Sequence, residues 1–181
     1  MAIIWRIAMS IDGDFIDADH KHLINLVNSF DSIRPVGAMR GELAAILDRL
    51  NTCVLIHFER EERFQAAAHF INAAAHGRYH DSAMGELDAI RSECERTLNA
   101  NQLVGFHRRV TGFLEDWLID HITLSDMLMK PFIAELSSRA RDAGSLEQTV
   151  PLSEAEFQTR DSSLGMSMRR SRETAFGARR V

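Results

Sequence analysis

The chain has 181 residues, 45% of them hydrophobic and 26% charged, with a net charge of −5; this is the profile of one soluble globular domain with room for an appendage. The acidic balance gives no support to nucleic-acid binding. No run approaches the ~20 apolar residues of a membrane span, and two cysteines, Cys53 and Cys94, make no disulfide framework. Both cysteines fall at apolar positions of helix-like segments, so we read them as reduced core residues of a cytoplasmic protein. The start, "MAIIWRIAMSIDGD", lacks a basic opening and a small-residue cleavage site, so no signal peptide is expected.

The first ~15 residues read as an extended arm. Helical periodicity then dominates, with no convincing strand alternation. In "DADH", Asp17 and Asp19 are suited to starting a helix. Helix A is expected over about 18–32, with His20, Leu23, Ile24, Val27 and Phe30 on one face. "RPVG" (34–37) breaks it. Helix B follows over about 38–67, with Leu43, Ile46, Leu47, Leu50, Cys53, Val54, His57 and Glu61 along one stripe. Helix C covers about 72–97, with His76, His80, Ala83, Leu87, Ile90 and Cys94. "NANQ" (99–102) is the next turn, and helix D runs over about 103–135 with Phe106, Val110, Phe113, Trp117 and His121. Short connections make consecutive helices antiparallel, so the expected fold is all-α: an up-down-up-down four-helix bundle spanning residues 1–136, with an N-terminal arm. Residues 137–181 differ. They are rich in Ser, Arg and Gly, and hold eight arginines against six acids, a net +2, which leaves −7 on the preceding 136 residues. We expect a weakly structured C-terminal extension or one packed on the bundle, with "SEAE" (Ser153–Glu156) as a capping box for a short helix.

Each inward stripe carries histidine or carboxylate where an apolar residue would serve. Helix A offers His20, helix B His57 and Glu61, helix C His76 and His80, helix D His121 and Asp126. The pairs His57/Glu61 and His76/His80 are four apart, which stacks them on one helix face. Taken singly, such pairs are more often surface contacts, and a lone His20 at a helix start is more often solvated. Together they place five imidazoles and two carboxylates towards one core, where each unpaired polar group costs several kcal/mol. Metal coordination satisfies all seven at once. The ligand mix suits a borderline divalent ion such as iron or zinc, and seven ligands exceed the four of a zinc site, which favours two metals.

At these residues the chain resembles the hemerythrin family, its bacterial members in particular. The matching pieces are "IDADHKHLINLVN", "HFEREE", "HGRYH" and "WLIDHITLSD", with Trp5 similar to the family's tryptophan near the start, over roughly residues 5–135. The resemblance implies a non-haem di-iron centre with a solvent-derived oxo or hydroxo bridge. One iron would take His76, His80 and His121; the other would take His20 and His57 and keep an open position; Glu61 and Asp126 would bridge them. The function implied is reversible O₂ binding, as carrier, store or sensor, and not an enzyme. Its His-rich donor set differs from the Glu-x-x-His motifs of ferritin-like bundles. The alternatives are a di-iron peroxidase, a nitric oxide or peroxide scavenger, or an iron-handling protein. The chain departs from the family in a longer stretch between His80 and His121, an alanine-rich approach to His76, and the 45-residue extension. The arginine pairs of that extension offer a surface to an acidic protein partner, although a solvated tail is the plainer reading.

Further expectations follow. His121 and Asp126 are five apart, about 140° round a regular α-helix, so their use at one site requires a π-type turn between them. His22, His69 and His107 are expected at the surface. Phe58, Phe113 and Trp117 either line an O₂ pocket or simply pack the core, and Cys53, one turn before His57, is expected to be core.

Overall fold

Asp12 starts the first helix. Its carboxylate accepts hydrogen bonds from the backbone N–H groups of Asp14, Ile16 and Asp17 at 2.9–3.1 Å, satisfying donors that have no partner inside a helix. Helix α1 therefore begins at Phe15, earlier than the periodicity suggests, and runs Phe15–Ser32. Of the two acids expected at its start, Asp17 lies in the first turn and Asp19 just beyond it, but neither is the cap. Asp17 is buried and ties down the chain before the helix, accepting from Ser10 Oγ (2.5 Å) and from the N–H groups of Ile11 (2.7 Å) and Gly13 (3.1 Å); Gly13 supplies the positive φ of 73° that this turn requires. The arm is extended apart from a 3-10 turn at Ile7–Met9. Asn28 clasps it, its amide exchanging two hydrogen bonds with the backbone of Ile3 at 2.8 and 2.9 Å.

The structure, a computed structural model, describes residues 2–34, 39–96 and 99–142. Among them α2 spans Met39–Ala67, α3 Ala73–Glu95, α4 Ala100–Asp120 and α5 Lys130–Asp142. "NANQ" is less a turn than a cap: Asn99 accepts from the Gln102 N–H, and the Gln102 side chain accepts from the Asn99 N–H. At the end of α2, the Phe70 N–H bonds to the Gln65 carbonyl (2.9 Å), with His69 at φ 51°. That is a Schellman ending with histidine where glycine is usual, and Phe70 turns back into the core.

Partner numbers fall on one helix as they rise on its neighbour, which makes the helices antiparallel. Asn51 meets Asp88 and Asp48 meets Arg91 between α2 and α3. Arg60 meets Asp19 and His57 meets His20 between α2 and α1. His107 of α4 meets Phe30 of α1. The result is the up-down-up-down bundle, all-α among the described residues, with α4 and α5 together forming the fourth rod.

One apolar stretch holds Leu23, Val27 and Phe30 of α1, Leu43, Leu47, Leu50 and Val54 of α2, Leu87 and Cys94 of α3, and Val110, Leu114 and Leu118 of α4, all buried. Each such side chain contributes about 1.5–3 kcal/mol when fully buried. A second, smaller cluster joins Ile11, Phe15, Ile16, Phe70, Met129 and Ile133. Along every helix the polar positions picked out by sequence lie between these two apolar blocks. Cys53 and Cys94 are both buried thiols outside any disulfide, as expected. No described helix is long and apolar enough to cross a membrane. Helix α5 continues past residue 136; residues 143–181, and with them most of the expected extension and the Ser153–Glu156 capping box, lie outside the described residues.

Candidate metal centre

The fourth rod is not one unbroken helix. Residues His121–Ser125 form a π-helical turn in which the Asp126 N–H donates to the His121 carbonyl, and a 3-10 turn at Asp126–Leu128 follows before α5. The wider turn brings residues i and i+5 to one face, so His121 and Asp126 meet, with Nε2 and Oδ2 3.2 Å apart. The geometric expectation drawn from the five-residue gap is therefore realised.

All seven candidate side chains converge. His20, Glu61, His80, His121 and Asp126 are 0% exposed, His57 1% and His76 7%. The imidazoles point inward through Nε2. Glu61 Oε2 lies 3.2 Å from His80 Nε2 and 3.7 Å from His76 Nε2, while its Oε1 lies 3.7 Å from His57 Nε2. Asp126 Oδ1 lies 3.2 Å from His76 Nε2, and its Oδ2 lies 3.1 Å from His20 Nε2. His57 Nε2 and His121 Nε2 are 3.2 Å apart. Donor atoms fall into two sets, each within 4.8 Å: His20, His57, Glu61, His121 and Asp126 in one, His76, His80 and His121 in the other.

Packing alone does not satisfy these atoms. Both Glu61 oxygens, both Asp126 oxygens, both His20 nitrogens, and Nε2 of His76 and His80 are buried without a hydrogen-bond partner. Orphaned groups at that density cost several kcal/mol each in a native core, and a cation bound among them relieves all of them together. The donor set fits a metal. Burial drives the rings to the neutral form that ligates: His57 falls to about 4, His80 is lowered and His121 lies well below the ordinary imidazole value, each chiefly through loss of water. Burial, and then the charge of Asp126, pushes Glu61 well above the carboxylate range. Burial pushes Asp126 up too, but His121, followed by the close imidazoles of His20 and His76, outweighs it and holds Asp126 low.

Behind the centre stand groups that spacing did not reveal. Asp19, buried, takes Arg60 Nη1 on both oxygens (2.8 and 2.9 Å) and lies 3.8 Å from His57 Nδ1. Glu62 Oε1 lies 3.1 Å from His80 Nδ1. Tyr79 stacks on His121 (ring centroids 5.7 Å apart) and is pushed up to about 12 by burial and by Asp126 and Asp120. One turn after Glu61, Gln65 is buried and donates to Met129 Sδ at 3.0 Å. Asp19 directly precedes His20, a signal that was present but read as a helix start. Of the aromatic residues, Phe58 lies flat on His80 (3.6 Å) and Trp117 lies parallel to His121 (5.7 Å). Trp117 and Phe113 border an open cleft of about 410 Å³ with Tyr79, Asp116, Asp120, Leu124 and Ser125. Trp5 of the arm lies 6.4 Å from the His20 ring.

The histidines set aside by sequence stay outside the cluster. His69 is exposed, as expected. His22 is half-buried. His107 is not a plain surface residue: its Nε2 lies 2.8 Å from the Phe30 carbonyl in the last turn of α1, and its ring stacks on Phe30, closing a helix end from across the bundle.

Among curated proteins, the chain is 28% identical over 120 residues to the bacteriohemerythrin of Methylococcus capsulatus, a match covering 66% of this chain and 87% of that one. It is 24% identical to the bacteriohemerythrin of Ralstonia nicotianae, covering 77% and 95%, and 24% identical to a hemerythrin-like protein of Naegleria gruberi, covering 70% and 89%. Among solved structures, a wild-type hemerythrin crystal structure superposes with a TM-score of 0.61 at 27% identity, over 74% of this chain and 99% of that one. The family model of the hemerythrin HHE cation binding domain matches residues 12–133, a span that includes all seven converging side chains, and so the chain belongs to the hemerythrin family.

Proposed function

We propose that the chain binds O₂ reversibly at a non-haem di-iron centre held by His20, His57, Glu61, His76, His80, His121 and Asp126, and that it acts as a binding protein and not as an enzyme. The observation that carries this reading is how the two carboxylates are placed. Each turns one oxygen towards α3 and the other towards α1 or α2: Glu61 faces His80 with Oε2 and His57 with Oε1, and Asp126 faces His76 with Oδ1 and His20 with Oδ2. A carboxylate shared in this way suits two cations side by side. His76, His80 and His121 would hold one iron, and His20 and His57 the other, which is left with fewer protein donors and room for a ligand.

Iron, when bound, supplies the electrons and the open position that O₂ needs. The chain's residues do the rest. Five neutral imidazoles against two carboxylates give the metals less negative charge than carboxylate-rich bundle sites do, which disfavours high oxidation states and favours release of O₂ unchanged. The apolar blocks on either side keep water out. Phe58 and Trp117 hold the rings of His80 and His121 in plane.

The relatives' names and the model match support this reading for a bundle of this length. Residues 1–136 form the O₂-binding unit in it, and 137–181 an extension that could offer a docking segment to a protein partner. The test is anaerobic reconstitution with ferrous iron followed by O₂. We expect two irons per chain and a visible charge-transfer band that appears with O₂ and vanishes on its removal. A single tightly held zinc with no O₂-dependent band would overturn the reading.

A further inference from the structure

The five rings converge through Nε2, but what stands behind their Nδ1 atoms differs. His80 Nδ1 has the Glu62 carboxylate at 3.1 Å. His57 Nδ1 has Asp19 at 3.8 Å, beyond hydrogen-bond length, and Arg60 occupies both oxygens of that carboxylate. The Nδ1 atoms of His20 and His121 are buried with no hydrogen-bond partner. A carboxylate on Nδ1–H fixes the tautomer that leaves the Nε2 lone pair facing the centre, and makes that nitrogen a stronger donor.

We propose that Glu62 is a positioning residue that, acting through His80, makes the two metal positions unequal: the set of His76, His80 and His121 binds its cation more tightly and fills first, and the set built on His20 and His57 fills second. The inference rests on the reading of the seven side chains as a two-metal centre and goes beyond it, because it orders the two positions. Three observations point the same way. Phe58 lies flat on the His80 ring at 3.6 Å, so the ring that Glu62 orients is also held in plane. His80 is fully buried, so the inner end of the Glu62 contact lies in a low dielectric, where it is felt more than in water. On the other side, the Arg60 guanidinium neutralises Asp19, which leaves His57 without a comparable backing charge and sets a positive group on that flank.

The test is titration of the apoprotein with cobalt(II), read by calorimetry and by the metal's visible absorption, with far-UV circular dichroism to confirm the fold. Wild type is expected to take two equivalents in two resolved steps. Glu62→Gln keeps an acceptor in place but removes its charge; it should weaken the first step about 10–100-fold and leave the second nearly unchanged. Glu62→Ala, which removes the contact altogether, should weaken it at least as much. Arg60→Met, which frees Asp19 to back His57, should strengthen the second step and narrow the gap. Two equivalents bound with equal affinity, or a Glu62→Gln variant that weakens both steps alike or neither, would overturn the inference and leave the two-metal reading standing. Fewer than two equivalents in wild type would overturn the two-metal reading itself, and the inference with it.

Discussion

Helix α2 and the fourth rod each deliver one histidine and one carboxylate to the same centre, by different means. In α2 the pair is His57 and Glu61, four apart on an unbroken helix, so regular geometry stacks them. In the fourth rod the pair is His121 and Asp126, five apart, and the backbone widens into a π turn to bring them together. A π turn is in effect a one-residue insertion in an α-helix. The contrast shows that a site can tolerate an out-of-register ligand where the helix is free to absorb the extra residue locally, and that the sequence spacing records that distortion.

Deletions should break this comparison most sharply. Removing Glu59 from α2 turns every later residue of that helix by about 100°; buried Glu61 and Gln65 would leave the core, with loss of metal binding and several kcal/mol of stability. Removing Thr123 from the π turn should convert it to ordinary helix, keep His121 and Asp126 on one face and cost no more than about 1–2 kcal/mol. Thermal melts and metal stoichiometry of the two deletion variants test this, and equal damage from both would refute the insertion view.

Acidity gives the next effect. His57 is lowered from 6.5 to about 4 in the folded chain, and His80 and His121 are lowered too, so between pH 6.5 and 4 the unfolded state binds more protons on these rings and stability falls with pH. Glu61, raised, acts in the opposite sense above 4.5, one group against three. The apoprotein should lose about 3 kcal/mol from His57 alone on passing from pH 7 to 4, measured by denaturant unfolding at each pH; a flat profile over that range would contradict it.

The two carboxylates should then part company. Glu61 is held unfavourably in the metal-free core and Asp126 favourably. Glu61→Leu should abolish two-metal binding yet raise apoprotein stability by about 1–4 kcal/mol. Asp126→Asn should abolish it and lower stability by about 1–3 kcal/mol. Melts of the same sign for both would remove the distinction. The smallest effect lies at the end of α2, where His69→Gly relieves a positive φ and should add about 0.5–1 kcal/mol, visible as a small rise in melting temperature.

The sequence made the helices and their inward faces legible because 3.6-residue periodicity is local, and every residue of the helix A stripe is buried as expected. Six of the seven converging residues were legible because each sits on such a stripe, and Asp126 because the other six made its five-residue gap from His121 read as a local widening of the helix. What stood behind them was not. Arg60 reaches Asp19 across 41 residues and His107 reaches Phe30 across 77; no spacing within one helix encodes a partner on another. Asp12 as the helix cap was also missed, because Asp17 and Asp19 offered the same chemical cue a few residues later and only the backbone path shows which of them the open N–H groups face.

His121 belongs to both donor sets, and it lies on the last rod of the bundle. A chain emerging from the ribosome presents His20, His57, Glu61, His76 and His80 well before His121 and Asp126, yet neither set is complete without that final segment. Metal capture therefore waits for the whole bundle: a chain truncated before residue 121 would hold neither set intact, and binding energy that couples to folding is withheld until the fourth rod has closed.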